Sequence, residues 1–213
     1  MTRAEIIEQV MIRLNELMPL GEGLNGLVNE EVTPISTHID KLLDECAIEV
    51  IRIIPTRYCP FKSVTLTTPN TDADNNYIIL PDDFLRLVGM QEEKWEIPVY
   101  ILRDPMKSPG LYEMQKNAYI KGNVSRPMAF AKNRTFTENN TTVTKKIAEL
   151  YSTAKNRSVA MGYVPIVPAE DCDDEIVSAI SWLCASKVFG ISNRPETKLS
   201  FENYTKEIQL LNQ

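Results

Sequence analysis

The hydrophobic period of this chain changes twice. Apolar residues recur every three or four positions from residue 6 to about 54, alternate with polar ones between 61 and 167, and return to helical spacing from about 174 to the end. Residues three and four apart share one face of a helix, while alternate residues share one face of a strand, so two helical flanks enclose a β-rich segment. Helices with one apolar stripe need a partner for it. The expected fold is therefore α+β: residues 1–60 and 168–213 form a helical bundle from the N- and C-terminal helices, and residues 61–167 form an inserted lobe on a small antiparallel sheet.

The flanks carry their own start and stop signals. Thr2 and Glu5 have the capping-box spacing, and Ile6, Ile7, Val10, Met11, Leu14, Leu17 and Met18 follow at helical intervals up to Pro19 and Gly21. Residues 21–34, with three glycines and Pro34, read as a loop. A second helix is predicted over 35–54, with Ile39, Leu42, Leu43, Cys46, Val50 and Ile53 on one broad face and Pro55 and Pro60 ending it. Near the C-terminus, Asp171 is the predicted cap of a helix bearing Ile176, Ile180, Leu183 and Val188. The acidic residues Asp173, Asp174 and Glu175 fall in its first turn, where the helix dipole favours them. Asn193, with Glu196 three residues on, is the predicted cap of a last helix whose stripe is Phe201, Tyr204, Ile208 and Leu211.

Within the insert, Val64 and Leu66 mark one strand and Tyr77–Leu80 a second. Pro81, Asp82 and Asp83 suit a tight turn flanked by Leu80 and Leu87 as core anchors. Trp95, Ile97, Val99 and Ile101 alternate strictly and predict another strand, an edge or bulged one because Pro98 interrupts it. A short helix or irregular excursion is expected over 102–126, and a polar exposed loop over 132–145 with its tip near residues 138–140. Strands around 146–152 and 159–167 are predicted to form a hairpin through residues 153–157 and to extend the same sheet.

Little here points to catalysis. His38 is the single histidine, which removes charge-relay schemes and histidine-rich metal sites. Asp72, Asp74 and Asn76 with Asp83 imitate a calcium loop, but Tyr77 stands where the sharp turn needs glycine. Asp82 and Asp83 are adjacent in a turn, a position in which carboxylates point apart and accept local N–H groups. No glycine-rich phosphate loop occurs, and no cofactor or metal is expected. Cys46, Cys59, Cys172 and Cys184 have neither knuckle spacing nor a dense framework and read as free thiols. The Asn-x-Ser/Thr triplets at Asn123, Asn133, Asn139, Asn140, Asn156 and Asn203 read as polar loops and caps. A formal charge of −6 disfavours a protein that grips nucleic acid by neutralising phosphates. No secretory signal or membrane span is visible, so the chain is expected to be cytoplasmic when made, with no membrane partner.

The ordered series Tyr77-Ile-Ile-Leu-Pro-Asp-Asp-Phe-Leu-Arg-Leu87, Arg126-Pro-Met-Ala-Phe130, Lys146-Ile-Ala-Glu-Leu-Tyr-Ser152 and Val159-Ala-Met-Gly-Tyr-Val164, followed by an acid-capped helix, resembles the head-to-tail adaptor family of tailed bacteriophages. In short-tailed phages that family is called tail tubular protein A or head-completion protein. The likeness spans roughly residues 35–192 and departs from the family's pattern in the long polar stretch 132–145. It implies a non-enzymatic virion protein, a connector subunit repeated about twelve times in a ring with heterologous contacts between neighbours. Its partners would be the portal protein above, neighbouring copies of itself, and tail or nozzle proteins below, with genomic duplex DNA passing through the channel without tight binding. The resemblance also makes the last helix a candidate docking element, with Phe201, Tyr204, Ile208 and Leu211 set against the portal or a neighbouring subunit. The same stripe, read from spacing alone, packs on its own bundle. Two alternatives are a metal-dependent hydrolase using Asp72, Asp74, Asp82 or Asp83, and a monomeric cytosolic binding module.

Overall fold

The computed structural model describes residues 1–17, 35–68, 76–117, 119–138, 141–151, 157–192 and 194–213. The chain divides into two compact units, one of Met1–Pro60 with Ile166–Gln213 and the other of Phe61–Pro165. The first is helical and the second is β-rich, so the protein is α+β.

Four helices make up the first unit: α1 (Arg3–Leu17), α2 (Ile35–Ile53), α4 (Asp174–Ile191) and α5 (Glu196–Leu211). The capping box of α1 forms in both directions, Thr2 N–H donating to Glu5 Oε2 at 2.7 Å and Glu5 N–H to Thr2 Oγ1 at 3.3 Å. Ile6, Val10 and Leu14 bury its stripe. In α2 the buried face is Ile39, Leu43, Cys46, Ala47, Val50 and Ile51, while Ile53, expected on that face, is turned to solvent. The core is organised around α4, which packs against each of the other three helices. That position explains its composition: beyond the first turn Lys187 is its one charged residue, and residues on every side of it are buried. A helix apolar all round belongs at the centre. The N-cap is Asp173, whose side chain accepts the Glu175 N–H at 3.0 Å, two residues later than expected because Ala169–Asp171 forms a turn of 3₁₀ helix. Residues 18–34 and Asn193 lie outside the described residues, and the position before α5 is held by Pro195 without a side-chain cap.

Polar pins hold the apolar stripes in register. The Arg3 guanidinium binds Asp40, Asp44 at 2.8 Å and Glu170 at 2.9 Å, joining α1 to α2 and to the segment before α4. Burial works against ionisation of Asp44, but Arg3 and the Ala169 N–H outweigh it and hold its pKa below the usual carboxylate value. Lys187 spans Glu45 and Glu49 at 2.8 Å each, pinning α4 to α2.

The β-rich unit contains two sheets, where one was expected. Strands β1 (Lys62–Thr67), β7 (Ser158–Pro165) and β3 (Phe84–Glu92) form an antiparallel sheet in the order β1-β7-β3. The second sheet has the order β2-β6-β5-β4, from β2 (Asn76–Ile79), β6 (Thr141–Tyr151), β5 (Met128–Glu138) and the two-residue β4 (Leu102–Arg103), which runs parallel to β5. Met90, Val159, Met161 and Tyr163 of the first sheet meet Ile78, Ala129, Ala148 and Leu150 of the second in one core.

Three strand expectations need correction. β6 and β7 do not form a hairpin, because each pairs within a different sheet. The stretch 132–145, expected as a loop, is most of a long hairpin in which β5 and β6 stay paired from Met128↔Tyr151 to Glu138↔Thr141. The alternating residues 95–101 form no strand: Trp95 closes a turn by donating its N–H to the Glu92 carbonyl, and only a single bridge joins Val99 to Met90. Trp95 and Val99 enter the core while Ile97 and Ile101 are exposed, so the alternation reflects burial without a ladder.

Candidate functional site

The Pro81–Asp83 turn closes as predicted, with Phe84 N–H donating to the Pro81 carbonyl at 3.0 Å. Asp83 receives Lys62 Nζ at 2.6 Å and the Tyr163 hydroxyl at 2.9 Å, which ties the turn to β1 and β7. The Lys62 ammonium leads the effects that hold the Asp83 carboxyl below its ordinary pKa. Asp82 is exposed, and Asp72 and Asp74 lie outside the described residues. The four carboxylates of the hydrolase alternative are thus not seen together, and among the described residues no group of three His, Cys, Asp or Glu side chains is placed to hold a metal. His38 is half-buried on α2, and all four cysteines are free thiols. Burial pushes the Cys172 thiol up to about 12, which keeps it protonated and unreactive.

The candidate docking stripe on α5 is divided. Tyr204 and Leu211 are buried within their own unit, Ile208 is half-buried, and Phe201 is 51% exposed. Ser200 on the buried side donates to the Trp182 carbonyl at 3.0 Å, and Glu207 accepts from Ser178 at 3.1 Å, so this side of α5 is fastened to α4. Tyr204 and Leu211 are therefore core residues of the helical unit, and the apolar side chains α5 leaves in solvent are Leu199, Phe201 and Leu210.

More apolar surface lies between β3 and β5. Ile97, Tyr100, Ile101, Met106, Tyr119 and Ile120 are all exposed, Met106 at 87% and Tyr119 at 96%. Single exposed apolar residues are ordinary; here six fall within residues 97–120. Ile97 and Ile101 are the exposed half of the alternating run 95–101, whose other half, Trp95 and Val99, is buried.

One further site was not foreseen. A cleft of about 680 Å³ in the β-rich unit is bounded by α3 (Pro109–Met114), by Asp104–Met106, and by Ala131, Lys132 and Asn133 of β5, with Lys146 beside them. Behind it Phe130, fully buried, is met edge-on by Tyr112 and Tyr151, with ring centroids at 5.2 and 5.8 Å. Glu149, also buried, accepts the Tyr112 hydroxyl at 3.0 Å, and Lys132 donates to that hydroxyl oxygen at 3.0 Å. The hydrogen bond to Tyr112, with Glu149 nearby, raises the Lys132 pKa, and burial followed by the Glu149 charge raises that of Tyr151. This chain fixes an ammonium at the rim of the cleft and keeps a buried carboxylate compensated. The rim carries two carboxylates, Asp104 and Glu113, and two ammonium groups, Lys132 and Lys146, beside an apolar wall of Pro105, Met106, Pro109 and the Tyr112 ring.

Comparison with known proteins gives no match to a family model and none to a curated protein.

Proposed function

We propose that this chain is a non-enzymatic ring subunit at the head-to-tail junction of a tailed phage, seated below the portal and continuing the DNA channel toward the tail. The observation that carries the reading is the concentration of exposed apolar side chains between residues 97 and 124, on a unit that already has its own packed core. Surface of that kind is costly in a free monomer and is buried when copies or partners assemble. Further support comes from the quoted motifs, which fall on successive structural roles: β2, turn and β3 for residues 77–87, the start of β5, the end of β6, and β7 before α4. The charge of −6 suits a channel through which DNA slides better than one that holds it.

The test is assembly. Purified protein, alone and mixed with the portal ring of its virion, is followed by light scattering and negative-stain imaging, with duplex DNA binding measured by anisotropy. Closed rings, or stoichiometric capping of the portal, are the expected results, with weak DNA binding at physiological salt. A protein that stays monomeric and ignores the portal, or that binds duplex DNA tightly and salt-sensitively, would refute the proposal.

A further inference from the structure

We propose that the outer half of the β5–β6 hairpin is a weak, sequence-independent contact for the phosphate backbone of duplex DNA. The hairpin alone carries this inference, independently of the ring-subunit reading.

The net charge of −6 conceals a division. Residues 121–157 hold eight basic and two acidic residues, a local charge of +6, so the rest of the chain carries −12. The hairpin lies within that stretch. One of its two acids, Glu149, is buried and already accepts the Tyr112 hydroxyl, with Lys132 near it.

Neighbouring strands cover the base of the hairpin and stop. β2 pairs with β6 at residues 147–150, and β4 pairs with β5 at Ala129 and Phe130. Beyond them residues 132–138 and 141–146 pair with each other, and no other described strand joins them. At about 3.4 Å per residue this is a two-stranded ribbon roughly 20 Å long. Alternation puts Asn133, Thr135, Thr137, Thr142, Thr144 and Lys146 on one face, all exposed, with the Thr135 and Thr144 hydroxyl oxygens 3.3 Å apart. On the other face the Tyr77 and Phe136 rings pack with centroids 5.9 Å apart, and the Arg134 guanidinium lies 4.5 Å from the Tyr77 centroid. Stacking uses the flat of a guanidinium and leaves the donors on its edge. Lys132 is engaged by Tyr112, whereas no carboxylate among the described side chains pairs with Arg134 or with Lys146, which lies over the Phe84 ring.

The composition of the ribbon selects the polyanion. An acidic protein would need apolar anchors at the centre of the contact, and an anionic membrane would need apolar side chains to insert. The ribbon exposes neither, since Phe136 and Val143 are half-buried. Single-stranded nucleic acid needs aromatic faces open for stacking, and Arg134 lies over both rings. Phosphates take the groups that are present: threonine hydroxyls, an amide and cations, in a contact more polar and more basic than those between proteins. The major groove of B-form DNA admits a two-stranded ribbon, whereas that of A-form RNA is too narrow. Phosphate contacts carry no base information, and so few of them hold DNA weakly at physiological salt.

The probes are two fluorescein-labelled duplexes of about twenty base pairs and unrelated sequence, titrated with the full chain by anisotropy between about 25 and 100 mM NaCl. Each neutralised phosphate steepens the fall of log K with log salt by about 0.9. Arg134→Gln with Lys146→Gln should therefore flatten the slope by about 2 and weaken low-salt binding about tenfold, with both duplexes affected alike. Lys41→Gln with Lys206→Gln removes the same charge from two exposed positions of the helical unit and should leave slope and affinity unchanged. Native Trp95 emission confirms the fold of the β-rich unit in the ribbon variant, and hydrogen exchange on the native protein should show the duplex protecting residues 132–146. No binding at low salt, an unchanged slope in the ribbon variant, an equal loss in the helical-unit variant, or protection elsewhere would overturn the proposal. Equal affinity for a single strand, for duplex RNA or for polyglutamate would overturn the choice of duplex DNA.

Discussion

Replacing Tyr204 by alanine decides which side of α5 belongs to the core. Tyr204 is 8% exposed, against 51% for Phe201 three residues before it on the same helix, although the two rings touch with centroids 5.5 Å apart. Removing a buried aromatic ring costs about 3–5 kcal/mol, from lost transfer energy plus the cavity left behind. For Tyr204→Ala we take the lower figure, about 3 kcal/mol, because the polar hydroxyl contributes little to that transfer energy. Phe201→Ala removes a ring that is already half in water and should cost about 1 kcal/mol or less. At roughly 4 °C per kcal/mol the two variants should melt about 8 °C apart. The chain has two tryptophans, Trp182 on α4 in the helical unit and Trp95 in the β-rich unit, so each unit has its own reporter. Urea titrations followed by Trp182 emission in a Trp95→Phe background measure the helical unit alone. Equal losses for the two variants, or a larger loss for Phe201→Ala, would show that the helix is rotated and that Tyr204 is the exposed docking residue.

Three further outcomes follow from the packing and charge. Phe130→Ala should cost about 3–5 kcal/mol in the β-rich unit, seen through Trp95 emission, because the ring is fully buried between Tyr112 and Tyr151. Gly122→Ala should cost about 1–3 kcal/mol, since a Cβ there meets Arg126 O and Met128 N at 3.2 Å, both backbone atoms, whereas the Cβ of Gly162→Ala meets the exposed ring of Phe61, which can swing aside; equal denaturation midpoints would contradict this. The Asp44 pKa is depressed in the folded state, so its contribution is present above the unfolded value of 3.8 and lost as pH falls through the folded one. The stability gap between the native protein and Arg3→Ala should therefore be full near neutrality and narrow below about pH 4, which urea midpoints across acid pH will check.

Local signals account for much of the fold. The period of α1, α2 and α5, the capping box at Thr2 and Glu5, and the Pro81 turn depend on residues within one or two helical turns or one tight turn, and each is written in adjacent sequence. The α5 stripe was legible as a stripe, but not which of its members faces α4, because that depends on the rotation of the helix against a neighbour distant in sequence. Leu87 shows the same limit: spacing made it a core anchor beside Leu80, and it does pack against that core, but only half-buried, while Phe84 is enclosed by it. Period two marks alternate burial and says nothing of a ladder partner. Hydrogen bonds between residues far apart in the chain decided that β6 and β7 join different sheets, that residues 132–145 extend a hairpin, and that 95–101 form none. The cleft, and the edge of β5 that no described strand pairs beyond Phe130, exist because β4 stops after two residues while β5 runs on for eleven. That mismatch lies between two strands separated in sequence, and only their pairing in space reveals it.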